Sequence, residues 1–97
     1  VDPCEQVGSG WVAEEAIAAA LLCFSLFPNE PVKALNRAVV SRGDSDSIAA
    51  ITGALIGAHL GFRALPAEWR DTIEYGDRLA SLPSDLADYG DAAESVR

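Results

Sequence analysis

The chain has 97 residues, so it amounts to at most one domain, and a core built from so short a length is marginal without further packing partners. Seven basic residues against fifteen acidic ones give a formal net charge of −8, which excludes a duplex-binding surface because phosphate contacts need clustered Lys and Arg. A hydrophobic fraction of 49% excludes a disordered chain.

Residues 1–10 contain Pro3, Gly8 and Gly10 and read as a loop. A first helix is predicted over residues 11–27, where Ile17, Ala20, Leu21 and Phe24 recur at three- and four-residue steps among strong helix formers. Glu14 and Glu15 fall in its first turn and complement the helix dipole, a structural role that accounts for both. Cys4 and Cys23 form no C-x-x-C pair and are too few for a disulfide scaffold. Cys23 reads as a small core residue.

Pro28-Asn29-Glu30-Pro31 interrupts the pattern, and Pro31 suits the first turn of a second helix whose apolar stripe is Val32, Leu35, Ala38 and Val39, ending near Gly43. A third helix is predicted over residues 47–60. Gly53, Gly57 and Gly61 repeat in four-residue steps along it, and each interior Gly costs roughly 1 kcal/mol against Ala, so tight helix packing is the expected compensation. His59 has no His or Cys partner one turn away and reads as a packing or surface residue.

Pro66 starts a fourth helix on which Trp69, Ile73 and Gly76 share a face continued by Leu79 and Leu82. Pro83-Ser84-Asp85 reads as a second breaker, followed over residues 85–97 by a short weak helix and a frayed tail. No run of strand period occurs. The expected fold class is therefore all-α, a compact bundle of about four to five helices forming one domain over residues 1–97. The most apolar windows, residues 16–27 and 48–60, fall short of the ~18 to 20 residues of a membrane span, and no secretory signal is visible. A cytoplasmic protein is the expectation.

The segment Gly43-Asp44-Ser45-Asp46-Ser47 places two carboxylates and a hydroxyl at the start of a helix. Alternate residues of an extended segment point the same way, so Asp44 and Asp46 can present their oxygens together, the cluster that hard cations such as Mg²⁺ select. The same residues also suit a plainer task, in which Asp46 or Ser45 only caps the helix. Gly8-Ser9-Gly10-Trp11 carries a similar ambiguity: the glycines allow close approach of a ligand and Trp11 offers a face for stacking, or the segment is an ordinary loop and Trp11 a core anchor.

Taken in order, Gly8-Ser9-Gly10-Trp11-Val12, the apolar run of residues 18–24, Gly43-Asp44-Ser45-Asp46-Ser47 with the small-residue helix after it, and Leu65-Pro66 before Trp69 resemble the ADP-ribosylglycohydrolase family. The resemblance covers residues 8–82 and corresponds to the C-terminal part of that family's larger all-helical domain. It implies a hydrolase that releases ADP-ribose from protein side chains or related acceptors. It also implies two Mg²⁺ ions, Mn²⁺ in some members, held between an N-terminal Thr-Asp-Asp type motif and a C-terminal Asp-x-Asp-Thr/Ser. Asp44, Asp46 and Ser47 match the second motif, which makes Asp46 the carboxylate bridging both ions, Asp44 a ligand of one and Ser47 the hydroxyl ligand. Gly8, Ser9, Gly10 and Trp11 stand where the family contacts the adenosine end of ADP-ribose.

Two differences from the family pattern accompany the match. Arg42 replaces a Gly ahead of Asp44, which puts a positive charge beside the expected cations, and no Thr-Asp-Asp motif occurs in residues 1–97. No catalytic residue beyond the metal ligands is expected in this chain, and the isolated 97 residues are expected to be inactive without a partner supplying the N-terminal half. The alternative function is a non-catalytic helical binding or assembly module that retains the scaffold. The expected ligands are ADP-ribose or an ADP-ribosylated protein, with no nucleic acid and no membrane.

Overall fold

A computed structural model describes residues 2–95, with side chains as far as residue 90. The chain divides into two units, one reaching to Leu65 and the other starting at Pro66. Six α-helices and one 3-10 turn occur among the described residues, and no strand, which matches the all-α expectation.

The first unit begins with α1, Pro3–Val7, in a segment expected to be loop. Asp2 precedes it, its Oδ1 accepting the Cys4 N–H at 2.9 Å, and Pro3 supplies a backbone φ already suited to a first turn. Helix α2 is Ala13–Leu26. Its buried face is Ala16, Ala19, Ala20 and Cys23, whereas Ile17 and Leu21, expected to face the core, are exposed. Ala20 and Cys23 face the core as expected, and the large members Ile17 and Leu21 do not. The actual stripe is made of small side chains, because they let the helix axes approach while the partner helix supplies the bulk.

That partner is α4, Ser45–Leu60, whose Ile48, Thr52 and Ile56 recur every four residues and are fully buried. The Thr52 hydroxyl donates to the Ile48 carbonyl at 2.7 Å, so the one polar side chain buried among the described residues is satisfied within its own helix. Helix α3, Pro31–Val39, buries Ala34 and Ala38 and packs on both α2 and α4. It ends at Val39, before the expected boundary at Gly43, and Val32 and Val39 of the expected stripe are exposed. Cys4, Ala19, Cys23, Ala38 and Ile48 join in one apolar cluster.

The glycine stripe of α4 behaves unevenly. Gly53 lies 3.6 Å, measured from where a Cβ would stand, from Leu35 of α3, but nothing approaches Gly57 within 4 Å, so tight packing explains the first and not the second. Gly61 closes the helix at φ +85°, its N–H donating to the Gly57 carbonyl, and a 3-10 turn over Phe62–Ala64 follows. His59 approaches the Asn29 Oδ1 at 3.2 Å and meets the Phe24 ring edge-on at 5.5 Å, in line with a packing role at the surface.

In the second unit, α5 is Ala67–Thr72 and α6 is Gly76–Ser95. The single helix expected from Pro66 to Leu82 is thus broken at Ile73–Tyr75. Tyr75 takes φ +59°, uncommon for a residue with a side chain, and a Cβ on Gly76 would stand 3.0 Å from the Arg70 carbonyl, so glycine suits the turn. Pro83, expected to end a helix, lies inside α6. It removes one intrahelical donor, but the surrounding side chains are exposed, so water can serve the freed carbonyl. The last two residues of the expected frayed tail, 96 and 97, lie outside the described residues. No helix among the described residues is long and apolar enough to cross a membrane.

Candidate functional site

Gly8-Ser9-Gly10 and Gly43-Asp44 lie far apart in sequence and meet in space. The Ser9 carbonyl accepts the Asp44 N–H at 2.7 Å. Two glycines make that approach possible. A Cβ on Gly43 would overlap the Ser9 carbonyl, and a Cβ on Gly10 would stand 2.9 Å from Ile48 Cδ1. Gly8 and Gly10 adopt φ of +107° and +82°, backbone that side-chain-bearing residues rarely take, so Ser9 is held between two positions where glycine relieves strain.

The loop before α2 is braced from below by that helix. Glu15 Oε1 accepts the Gly10 N–H at 3.3 Å, and the Glu15 carboxyl lies 2.5 Å from where a Cβ on Gly8 would be. Sequence alone assigns Glu15 only a dipole role. With Val12 at the cap position, Glu15 is the third helical residue, the place from which a carboxylate commonly reaches back to a backbone N–H. That position is the signal by which it could have been found. Trp11 is 72% exposed, so its indole is not a core anchor in the described residues.

On the other side, Asp44 occupies the cap position of α4 at φ −74°, ψ 71°, yet no side-chain cap bond forms there. Capping by Asp46 or Ser45 is not what the chain does. Ser45 is already helical, and Asp46 Oδ1 accepts the N–H of its neighbour Ser47 at 2.9 Å. The neighbouring Asp44 carboxyl and the Ser47 N–H hold Asp46 below its ordinary carboxylate value. Two adjoining carboxyls with the Ser47 hydroxyl in the same turn are hard oxygen donors of the type Mg²⁺ or Mn²⁺ accepts. They are a partial set: no group of three or more His, Cys, Asp or Glu side chains suited to a metal gathers among the described residues.

Arg42 is occupied elsewhere. Its N–H donates to Asp2 Oδ2 at 3.0 Å and its guanidinium pairs with Glu5 Oε1 at 3.2 Å, so the charge expected near the cations is directed toward α1. Asp2 therefore caps α1 and tethers the stretch of chain leading into Asp44, a link between residues 40 positions apart. Burial pushes the Asp2 carboxyl up, but the N–H groups of Cys4 and Arg42 and the Arg37 charge outweigh it, and the net effect is a lowered value. The sequence cue was Asp2 directly before Pro3.

Comparison with known proteins yields a consistent picture. A family model described as ADP-ribosylglycohydrolase matches residues 1–95. The chain is 27% identical over 93 residues to ADP-ribosylhydrolase ARH3 of Danio rerio, covering 86% of this chain and 25% of that protein. It is 30% identical over 79 residues to ADP-ribosylhydrolase ARH3 of Bos taurus, covering 71% of this chain and 22% of the relative. The chain thus spans about a quarter of the length of these relatives. No solved structure matches it.

Proposed function

This chain belongs to the ADP-ribosylglycohydrolase family, and on that premise we propose that residues 8–11 and residues 44–47 form two sides of one ADP-ribose site, the first taking the adenosine end and the second the cations. The observation that carries the reading is the 2.7 Å bond from the Asp44 N–H to the Ser9 carbonyl, which joins the two segments that the sequence singled out separately.

Each residue has a distinct task in this reading. Asp44 and Asp46 would offer their carboxyls and Ser47 its hydroxyl to Mg²⁺ or Mn²⁺. When bound, such ions supply orientation of the ribose hydroxyls and polarisation of the glycosidic centre. Gly8 and Gly10 keep side chains away from the ligand path, and the Ser9 backbone fixes the distance between the adenosine side and the carboxyl pair. The exposed Trp11 ring stacks on adenine. The remaining metal ligands and the acidic group that assists hydrolysis come from elsewhere in the larger family fold, so the substrate is an ADP-ribosylated acceptor only when that remainder is present.

Calorimetric titration of ADP-ribose into the 97-residue chain with and without Mg²⁺ tests this. Mg²⁺-dependent binding that Asp46→Ala abolishes supports it. Binding indifferent to both Mg²⁺ and Asp46 contradicts it.

A further inference from the structure

We propose that Glu15 is a positioning residue that sets the direction of Asp44 through the Gly8–Gly10 turn. The chain of contacts is continuous. Glu15 Oε1 takes the Gly10 N–H at 3.3 Å, and its carboxyl closes against Gly8. Ser9, between those two glycines, then gives its carbonyl to the Asp44 N–H at 2.7 Å. Asp44 has no side-chain bond capping α4; its carbonyl takes the Ile48 N–H at 3.0 Å as the helix begins, and the Ser9 carbonyl holds its N–H, so the Ser9 side of the bridge sets how the chain enters Asp44 and with it the root of its carboxyl group.

Local forces alone would not hold the turn. Gly8 and Gly10 both occupy positive φ, where glycine has the widest conformational freedom and therefore the largest entropy to lose on ordering. The hydrogen bond to Glu15 Oε1, with its carboxyl closed against Gly8, is the contact that offsets that loss, and it asks for an acceptor oxygen at this reach. Glu15 stands on the first turn of α2, next to the fully buried Ala19 and Ala20 of the same helix, so the brace is anchored to the rigid part of the fold.

The role differs from simple dipole complementation in a way that substitutions separate. Glu15→Asp keeps the charge in the first helical turn but is one methylene too short to reach the Gly10 N–H. Glu15→Gln discards the charge but keeps an oxygen at the right distance. A dipole role predicts that Asp is tolerated and Gln is not. Positioning predicts the reverse.

The test is amide hydrogen exchange by NMR on the full 97-residue chain, with Mn²⁺ affinity measured in parallel; the affinity arm alone rests on the function proposed above. Glu15→Asp should speed exchange of the Gly10 and Asp44 amides by about tenfold and weaken Mn²⁺ binding, while Glu15→Gln restores most of both and amides of α2 beyond the first turn stay unchanged in each. Unchanged exchange at Asp44 in Glu15→Asp, or faster exchange in Glu15→Gln than in Glu15→Asp, overturns the inference. Wild-type chain that binds no Mn²⁺ but shows the exchange pattern supports the positioning role while sinking the cation site itself.

Discussion

The Ser9 carbonyl and the Asp44 N–H are 2.7 Å apart, and this single backbone bond spans 35 residues of sequence to bring the glycine loop against the head of α4. The adjacent Gly43 leaves no room for a methyl group. Gly43→Ala should therefore part the two segments: the Asp44 amide loses protection and Mn²⁺ affinity falls by roughly fivefold, since hydrogen bonds of this kind contribute about 1 kcal/mol. NMR exchange and calorimetry read both effects, and a Gly43→Ala chain identical to wild type in both would refute the geometry.

Ile48 links the core to the site, being fully buried and lying beneath Gly10. Ile48→Ala should cost roughly 2 to 5 kcal/mol of folding stability and Ile48→Val about 0.5 to 1.5 kcal/mol, as cavity formation and lost transfer energy dictate. Urea unfolding monitored by circular dichroism measures the two costs. A loss below that range for Ala would mean that the loop collapses into the space.

Asp2 carries a pH signature. Its folded-state value lies below the ordinary 3.8 because the Cys4 and Arg42 N–H groups outweigh the opposing effect of burial. A carboxyl depressed in the folded state adds stability above its unfolded value and loses it as pH falls through the folded one. The stability of the wild-type chain should accordingly drop below about pH 4. Asp2→Asn should melt lower at neutral pH and show a shallower acid limb, the two curves converging in acid. Parallel curves across the whole range would remove Asp2 from the account.

Trp11 predicts a separation of binding from folding. With 72% of its surface exposed, Trp11→Ala should change stability by no more than about 0.5 kcal/mol, whereas loss of the stacking face should weaken ADP-ribose binding by up to about tenfold. Thermal melting and calorimetry give the two numbers. A large fall in melting temperature would assign Trp11 to the fold instead.

The third predicted helix, the helix start at Pro31 and the all-α class were legible because proline, small-residue runs and helical periodicity are local signals. On the buried face of α2, Ala20 and Cys23 were legible but Ala16 and Ala19 were not, because Ile17 and Leu21 outweigh them in any count of hydrophobicity, while Ile48 of α4 packs in one cluster with Ala19, Ala20 and Cys23 and selects the small residues. Short α1 was hidden by a segment that reads as loop by its Pro and Gly, although Asp2-Pro3 is a start signal. Pro83 misled in the other direction, since a proline in an exposed helix can be bridged by the turns on either side. Within the site, Asp44, Asp46, Ser47 and the residues from Gly8 to Trp11 were readable as motifs. Their contact, and the brace from Glu15, depend on backbone geometry at Gly8, Gly10 and Gly43 that no spacing rule encodes.

The most direct test of the account is the pattern of paramagnetic line broadening when Mn²⁺ is titrated into the isotopically labelled 97-residue chain. Broadening should centre on Asp44, Asp46 and Ser47, extend to the amides of Ser9 and Gly10 across the backbone bridge, and vanish in Asp46→Ala. Broadening centred elsewhere, for example on the acidic residues of α6, or unaltered by Asp46→Ala, would contradict the assignment of these carboxyls to a cation site.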